Sequence, residues 1–196
     1  LSLHDALPIL QRAVFMAHER AWLRFEGVLT ELVHELPLLR QPVSACRALQ
    51  GRIAQRMWQA CNAFSPEFIT PMAAVAGAVA QEIIQAYHQP GIRRAWVNNG
   101  GDIALHLAPG EQTRIGLVAD VARAVPGHAL ALDGQLTLHA EDGIGGVATS
   151  GWRGRSQSLG IADSVTVLAA TAAQADAAAT IIANAVNLQH PGIVRL

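Results

Sequence analysis

The spacing of apolar residues changes at Pro90 and Gly91, and this change constrains the fold more than any other feature of the sequence. Before it, apolar residues recur at the spacing of helices. After it, short runs separated by Gly, Pro and Asp have the alternation of strands, and a final alanine-rich segment returns to helical spacing. Helices, then strands, then a helix predict an α+β fold, in which a mostly antiparallel sheet packs against helices.

Three helices are predicted before the change. The first covers residues 11–35 and the second residues 44–63. The third begins at Pro71, with Thr70 in the N-cap position, and continues as a run of small residues. Small side chains allow close approach. We expect most of them to pack against a sheet, and the alternative is that the helix N-terminus offers backbone N–H groups to an anion.

The second half is predicted to contain strands over residues 94–98, 103–107, 114–118, 135–139 and 164–169. A closing helix is predicted over residues 172–186. The segment over residues 145–156 is rich in Gly, Ser and Arg, and we interpret it as one loop.

Size and composition favour a single domain. The chain has 196 residues, of which 51% are hydrophobic and 15% charged, enough to bury one core. We expect this domain to cover residues 10–196. Residues 1–9 look foreign to the rest of the chain, so we expect the native N-terminus to be missing.

Charge and hydropathy narrow the classes of partner. The formal net charge is −1 and no basic cluster is present, so a nucleic-acid partner is not expected. All 14 basic residues are arginines, which excludes a Walker lysine and lysine Schiff-base chemistry. The longest apolar run, residues 68–80, is too short to cross about 30 Å of hydrocarbon, and no membrane partner is expected. Because no secretory signal is visible, we expect a cytoplasmic protein.

A polar and glycine-rich turn joins the first two predicted strands, with the residues Asn98, Asn99, Gly100, Gly101 and Asp102. Asn and Gly adopt positive φ at little cost, so a hairpin turn explains this sequence when it is taken alone. The alternative is that the turn forms one wall of a binding site.

The predicted loop before the last strand holds hydroxyl groups, glycines and arginines, among them Thr149, Ser150, Gly151, Arg153 and Arg155. Backbone N–H groups and hydroxyls donate hydrogen bonds to phosphate, and arginines neutralise its charge. The alternative is a surface loop with solvated arginines. Ser150 does not lie in a Gly-x-Ser-x-Gly motif, so a serine hydrolase is not predicted.

The closing helix is almost all alanine, except that Asp176, Thr180 and Asn184 recur at every fourth position. These residues share one face of the helix. A carboxylate and a hydroxyl one turn apart can bind a hard cation such as Mg²⁺, with other positions filled by water or phosphate. An exposed polar stripe is the alternative.

Several short motifs follow one another along the chain: the small-residue helix, then NNGGDI, VATSG, DSVTVLA and ADAAAT. In this order they resemble the ApbE-like superfamily, whose best-known members are FAD:protein FMN transferases. The resemblance covers residues 68–188 and is closest to an ApbE-related branch. It implies an ApbE-like fold that binds FAD with Mg²⁺. In the transferases, a threonine hydroxyl of a target protein attacks the pyrophosphate, which leaves FMN esterified and releases AMP.

The resemblance also implies roles for individual residues. Asp176 and Thr180 match the D-x-x-x-T magnesium ligands of the family, and Ala76 falls where a backbone carbonyl contributes to the same site. The family's GGD and SG elements, which lie beside the flavin nucleotide, are matched by Gly100, Gly101, Asp102, Ser150 and Gly151.

The chain departs from the transferases in two places. They carry an H-x-x-D-P-x-T-G segment after the SG element, whereas residues 152–163 contain no histidine and match it only at Asp163. The strands that precede the first helix in the family are also expected to be missing. The sequence leaves three alternatives: FMN transfer to an acceptor protein, nucleotide binding without catalysis, and a structural subunit, including a homo-oligomer, that uses its amphipathic helices as an interface.

Overall fold

The structure is a computed structural model that describes residues 3–45, 48–118, 132–152 and 158–193. Its helices are α1 (Leu3–Glu26), α2 (Val28–Leu39), α3 (Arg52–Asn62), α4 (Val75–Ile83) and α5 (Ala172–Ala185). Its strands are β1 (Arg94–Asn99), β2 (Asp102–Leu107), β3 (Gln112–Leu117), β4 (Gly134–His139), β5 (Gly146–Ser150) and β6 (Val165–Ala169).

The strands form two antiparallel sheets. The larger has four strands in the order β1-β2-β5-β6, and the smaller pairs β3 with β4. Helices pack against the sheet, so the predicted α+β class is confirmed. The five predicted strands agree with the observed ones to within two residues at each end.

The sequence prediction was wrong at β5, which lies in the middle of the four-stranded sheet rather than in a loop. The reason is close packing against α5. A Cβ added at Gly146 would lie 2.2 Å from the Cα of Ala172, and Ala148 is fully buried against Ala175 and Ala179. The helix-facing residues of this strand, Gly146, Ala148 and Ser150, are therefore small, and its β-branched residues, Val147 and Thr149, are confined to the other face.

Helices α4 and α5 cover one face of the large sheet. Ala80 of α4 and Ala172 of α5 pack with Ala104 of β2, as expected for a small-residue helix that packs against a sheet. On the opposite face, Leu105 and Val147 pack with Leu138 of the two-stranded sheet. The four-stranded sheet is thus the middle layer, and its helix-covered face holds the candidate site.

The helical half differs from the sequence prediction in its boundaries. The first predicted helix is divided into α1 and α2 at Gly27, although the backbone there stays helical (φ −86°, ψ −10°) and Glu31 N–H donates to the Gly27 carbonyl at 3.0 Å. The third begins with a 3₁₀ turn at Pro71–Ala74 before α4. In the described part of the chain, no helix has the length and apolar character needed to cross a membrane.

One buried carboxylate links the helices. Glu82 of α4 accepts hydrogen bonds from Arg24 of α1 at 2.9 Å and from Arg56 of α3 at 2.7 Å. Burial alone would raise the pKa of Glu82, but the two arginines outweigh it and lower that pKa below its ordinary value. The ion pairs therefore hold α1 and α3 against α4.

Candidate functional site

The Asn98–Asp102 segment is a two-residue hairpin turn between β1 and β2. Asn99 pairs with Asp102, and the two residues between them have positive φ, +71° at Gly100 and +113° at Gly101. The Asn98 side-chain oxygen accepts a hydrogen bond from Gly101 N–H at 2.8 Å. The glycines are thus explained by the backbone conformation of the turn, which other residues adopt only at a cost.

The strand residues on either side of the turn connect it to two other elements. Asn99 donates a hydrogen bond from its amide to the Ala76 carbonyl of α4 at 3.2 Å. Asp102 accepts one from Thr149 N–H of β5 at 3.1 Å. Because Asp102 and Ala104 are two residues apart on β2, both face the helix-covered side of the sheet. The turn therefore places a carboxyl group between α4 and β5.

Asp176 of α5 lies at the N-terminus of α4 and is only partly exposed. Its Oδ2 accepts a hydrogen bond from Gly77 N–H at 2.9 Å, and the N–H of Ala76 also bonds the carboxyl group. Ala74, the N-cap residue of α4, offers no side-chain acceptor to these groups. Asp176 therefore caps α4 from another helix and does not belong to an exposed polar stripe.

The same contact bears on the predicted alternative that the N-terminus of the small-residue helix offers its backbone N–H groups to an anion. The first N–H groups of α4 do meet a negative group, but it is the side chain of Asp176. A Cβ at Gly77 would lie 2.2 Å from the Ala172 carbonyl oxygen, so only glycine lets the two helices come this close. Gly77 was not identified from the sequence as a site residue, and its place within the alanine run gave no signal of this role.

The carboxyl groups of Asp102 and Asp176 influence each other. Burial and then repulsion from Asp102 raise the pKa of Asp176 to about 7, although hydrogen bonds from α4 oppose the shift. Burial also raises the pKa of Asp102 to about 6. Two carboxyls with such values keep part of their negative charge at neutral pH in a site that solvates it poorly. This is an environment that a cation would stabilise.

Residues 8–196 match the family described as AbpE bacteria. The chain belongs to this ApbE-related family. It is 42% identical over 135 residues to the UPF0280 protein of Methanothrix thermoacetophila, covering 68% of this chain and 52% of that protein. It is 36% identical over 147 residues to a UPF0280 protein of Methanopyrus kandleri, covering 74% and 54% of the two chains. The chain spans about half the length of the curated relatives it matches.

In this ApbE-related protein, two of the three metal ligands implied by the resemblance are brought together. Ala76 and Asp176 are in contact, and Thr180 is partly buried one helical turn beyond Asp176. Asn184, the next polar residue on that face, is used elsewhere, because its side-chain oxygen accepts hydrogen bonds from the Ser158 hydroxyl and from Leu159 N–H.

The residues implied to bind the nucleotide are brought together only in part. Ser150 is 5% exposed and shares the α5-covered side of β5 with Ala148. Thr149 offers its backbone N–H to Asp102, while its hydroxyl lies 2.9 Å from that of Thr166. Arg153 and Arg155 lie outside the described residues.

Gly151 and Trp152, which directly follow β5, are in contact with Asp163. Gly151 is buried, and a Cβ there would lie 2.2 Å from the Asp163 carbonyl oxygen. The Trp152 indole N–H donates to the Asp163 carboxylate at 2.9 Å. Asp163, the residue that matched the transferase segment in part, therefore fixes the position of Trp152.

The chemistry of the donor set fits Mg²⁺. Among the described residues, no group of three or more His, Cys, Asp and Glu side chains is arranged to hold a metal ion. Mg²⁺ needs only one or two carboxylates, because water and phosphate oxygens complete its coordination. Asp102, Asp176, Thr180 and the Ala76 carbonyl offer only oxygen atoms, as this cation requires.

A cavity of about 560 Å³ lies elsewhere, where Trp58 and Gln59 of α3 face Val43 and Ser44. None of the residues singled out from the sequence as site residues lines it.

Proposed function

We propose that this protein binds FAD together with Mg²⁺ where α4, α5 and the β1–β2 turn meet. The observation that carries the proposal is the proximity of the Asp102 and Asp176 carboxyl groups at the N-terminus of α4, with pKa values raised to about 6 and about 7. An uncompensated carboxyl pair lowers stability, and carboxyl groups with pKa values perturbed in this way cluster at binding and catalytic sites. Its charge therefore supports a site for a divalent cation.

The metal would be held by the Asp176 carboxylate, the Thr180 hydroxyl and the Ala76 carbonyl, with Asp102 as the second negative group. When bound, Mg²⁺ neutralises charge on the pyrophosphate and polarises its phosphoryl oxygens. Asp176 keeps acceptor capacity for this role, because a carboxylate accepts about four hydrogen bonds or ligands and two are given to backbone N–H groups.

The nucleotide would lie against the turn and the end of β5. Gly100 and Gly101 leave the tip of the turn without side chains, and nothing lies within 4 Å of a Cβ at Gly101. In this proposal Asn98, Asn99 and Asp102 shape the wall beside the flavin nucleotide, and Thr149, Ser150 and Gly151 follow on β5. Arg153 and Arg155 would contact the phosphates, for which the planar guanidinium is well suited.

The test is a titration of FAD into the 196-residue chain with and without Mg²⁺, followed by flavin fluorescence. We expect saturable binding that requires Mg²⁺. Thr180→Val removes a hydroxyl with little change of shape. It should raise the Mg²⁺ concentration needed for half-maximal FAD binding at least about tenfold, the scale found for groups that support a metal site. Thr137→Val is the matched control, since Thr137 lies on β4 of the two-stranded sheet, outside the proposed site. Binding of FAD that is equally tight without Mg²⁺, or equal effects of both variants, would contradict the proposal.

FMN transfer is the second candidate function, and one contact bears on it. In such a transfer the acceptor hydroxyl oxygen bonds to the FMN phosphorus, the bridging P–O bond breaks, AMP leaves, and the hydroxyl proton passes to a base or to solvent. Asp163 is engaged by Trp152 at 2.9 Å, which favours binding without transfer. Release of AMP on adding a threonine-containing acceptor protein would establish transfer, and its absence while FAD stays bound would support the binding function.

A further inference from the structure

Helix α1 and the start of α2 carry an apolar stripe that the described residues leave uncovered. Phe15, Trp22, Phe25 and Leu29 are 60%, 61%, 51% and 73% exposed. Together with His18, they follow the spacing three, four, three, four that is typical of a helix that packs along another helix. His18 lies at the edge towards the fold, where its Nδ1 is 2.8 Å from the Tyr87 hydroxyl.

A neighbouring side of the same helix holds it to the rest of the chain. Ala17, Ala21 and Val28 are buried there, and Arg24 pairs with Glu82. The stripe is therefore not the side by which α1 is attached to the domain. It is a second apolar side, and a chain that buries small alanines while it exposes large aromatic side chains has a surface suited to a partner.

The exposed area of the stripe amounts to roughly half of one partner's share of a specific interface. At about 200 Å² for a full aromatic side chain, the exposed parts of the stripe's three aromatic residues amount to roughly 350 Å². Leu29 adds to this, as do Val14 and Val33, which lie beside the stripe and are 40% and 54% exposed. A specific interface covers about 800 Å² on each partner, rim included, so the stripe can form the apolar centre of one.

We propose that two copies of this chain associate through α1, packed in antiparallel orientation about a twofold axis near Glu19. The charges beside the stripe favour a second copy of the chain as the partner and an antiparallel direction of packing. Arg12 and Glu26 are exposed, lie in equivalent heptad positions and are each seven residues from Glu19. In the antiparallel pair, Arg12 of each copy faces Glu26 of the other, while Phe15 faces Phe25. Glu19 faces its own copy at the axis, so two opposite-charge pairs outnumber one like-charge pair, and the surface stays complementary to itself, as a twofold interface requires.

The first test measures mass by sedimentation velocity over a range of concentrations of the 196-residue chain. We expect twice the mass of one chain, with dissociation on dilution. Trp22→Asp should raise the dissociation constant at least about a hundredfold, as expected for a central aromatic residue of an interface. Phe68→Asp is the matched control, because Phe68 is 75% exposed but lies outside the stripe. The mass of a single chain at all concentrations, or equal effects of the two variants, would overturn the proposal.

The second test fixes the direction of packing. Arg12→Glu places like charges opposite each other twice in the antiparallel pair, and we expect it to weaken the dimer about tenfold at low salt. Combining it with Glu26→Arg should restore the wild-type dissociation constant. In a parallel pair these residues do not meet, so failure of the double variant to restore association would contradict the antiparallel arrangement. Circular dichroism of each variant verifies that the helices are retained.

Discussion

Replacing Asp176 with asparagine separates the two roles that this residue has in the site. Asparagine keeps a side-chain oxygen that can accept the hydrogen bond from Gly77 N–H, and it is a good helix-capping residue. It removes the negative charge that lies near Asp102. We therefore expect Asp176→Asn to be more stable than the wild type at high pH, and at the same time to lose the stabilisation by Mg²⁺.

The size of the expected gain in the free energy of unfolding follows from the pKa of Asp176. Burial and then repulsion from Asp102 raise it from the ordinary 3.8 to about 7. Because the folded value is the higher, ionisation of Asp176 lowers the free energy of unfolding as pH rises from about 4 to about 7, and this loss persists above that range. The full difference corresponds to roughly 4 kcal/mol. Since the side chain is partly exposed and water screens its charge, we expect a gain of about 2 kcal/mol for the variant near pH 8.

The assay is urea unfolding of both proteins, first without divalent cations at about pH 4.5 and about pH 8. The gain should be small at the lower pH, where wild-type Asp176 is protonated in the folded state, and large at the higher. Millimolar Mg²⁺ should then stabilise the wild type by about 1.4 kcal/mol for each tenfold excess over its dissociation constant, and leave the variant unchanged. Asp163→Asn, outside the pair, should show neither effect. A variant that is less stable than the wild type near pH 8 would refute the reasoning, because Asp176 would then act as a cap alone.

Two further predictions concern the close packing at Gly77 and the ion pairs of Glu82. Gly77→Ala places a methyl group 2.2 Å from the backbone oxygen of Ala172 and should lower the free energy of unfolding by about 3 kcal/mol in urea titrations, whereas Gly134→Ala, whose nearest neighbour is a leucine methyl at 3.6 Å, should cost less than 1 kcal/mol. Glu82→Gln leaves two arginines without their carboxylate and should cost about 3 kcal/mol near neutral pH. Because the pKa of Glu82 is lowered, the difference between this variant and the wild type should shrink as pH falls through that pKa; a pH-independent difference would argue against the ion pairs.

The sequence predicted the α+β class and five strands because their ends are punctuated by Gly, Pro and Asp, which act locally. It did not predict β5, because packing against the distant helix α5, and not the neighbouring sequence, determines which residues of this strand are small. A Cβ at Gly146 would overlap Ala172, which lies 26 positions further along the chain. Such a strand can be recognised only once the helix that covers it is known.

The candidate site could be predicted only through the order of its motifs. Asp176 and Gly77 are 99 positions apart, so their hydrogen bond depends on tertiary packing and leaves no local pattern. The same holds for Gln81, whose side-chain oxygen accepts a hydrogen bond from Ala173 N–H at 3.2 Å. Periodicity placed Asp176 on a polar face of its helix correctly, but it could not distinguish an exposed face from one that caps another helix.

The contacts of Asp176 and Gln81 are reciprocal, and this ties the site to the fold. A side chain of α5 caps the N-terminus of α4, while a side chain of α4 accepts from the N-terminus of α5. Sliding one helix along the other would break both bonds and would also move the Asp176 carboxyl away from Asp102. The chain thus keeps a repelling carboxyl pair in place with hydrogen bonds that other capping residues could supply without the charge. Asparagine or serine would serve as well for capping alone. The loss of stability caused by the Asp176 carboxylate beside Asp102 is therefore explained by the cation that we propose it binds.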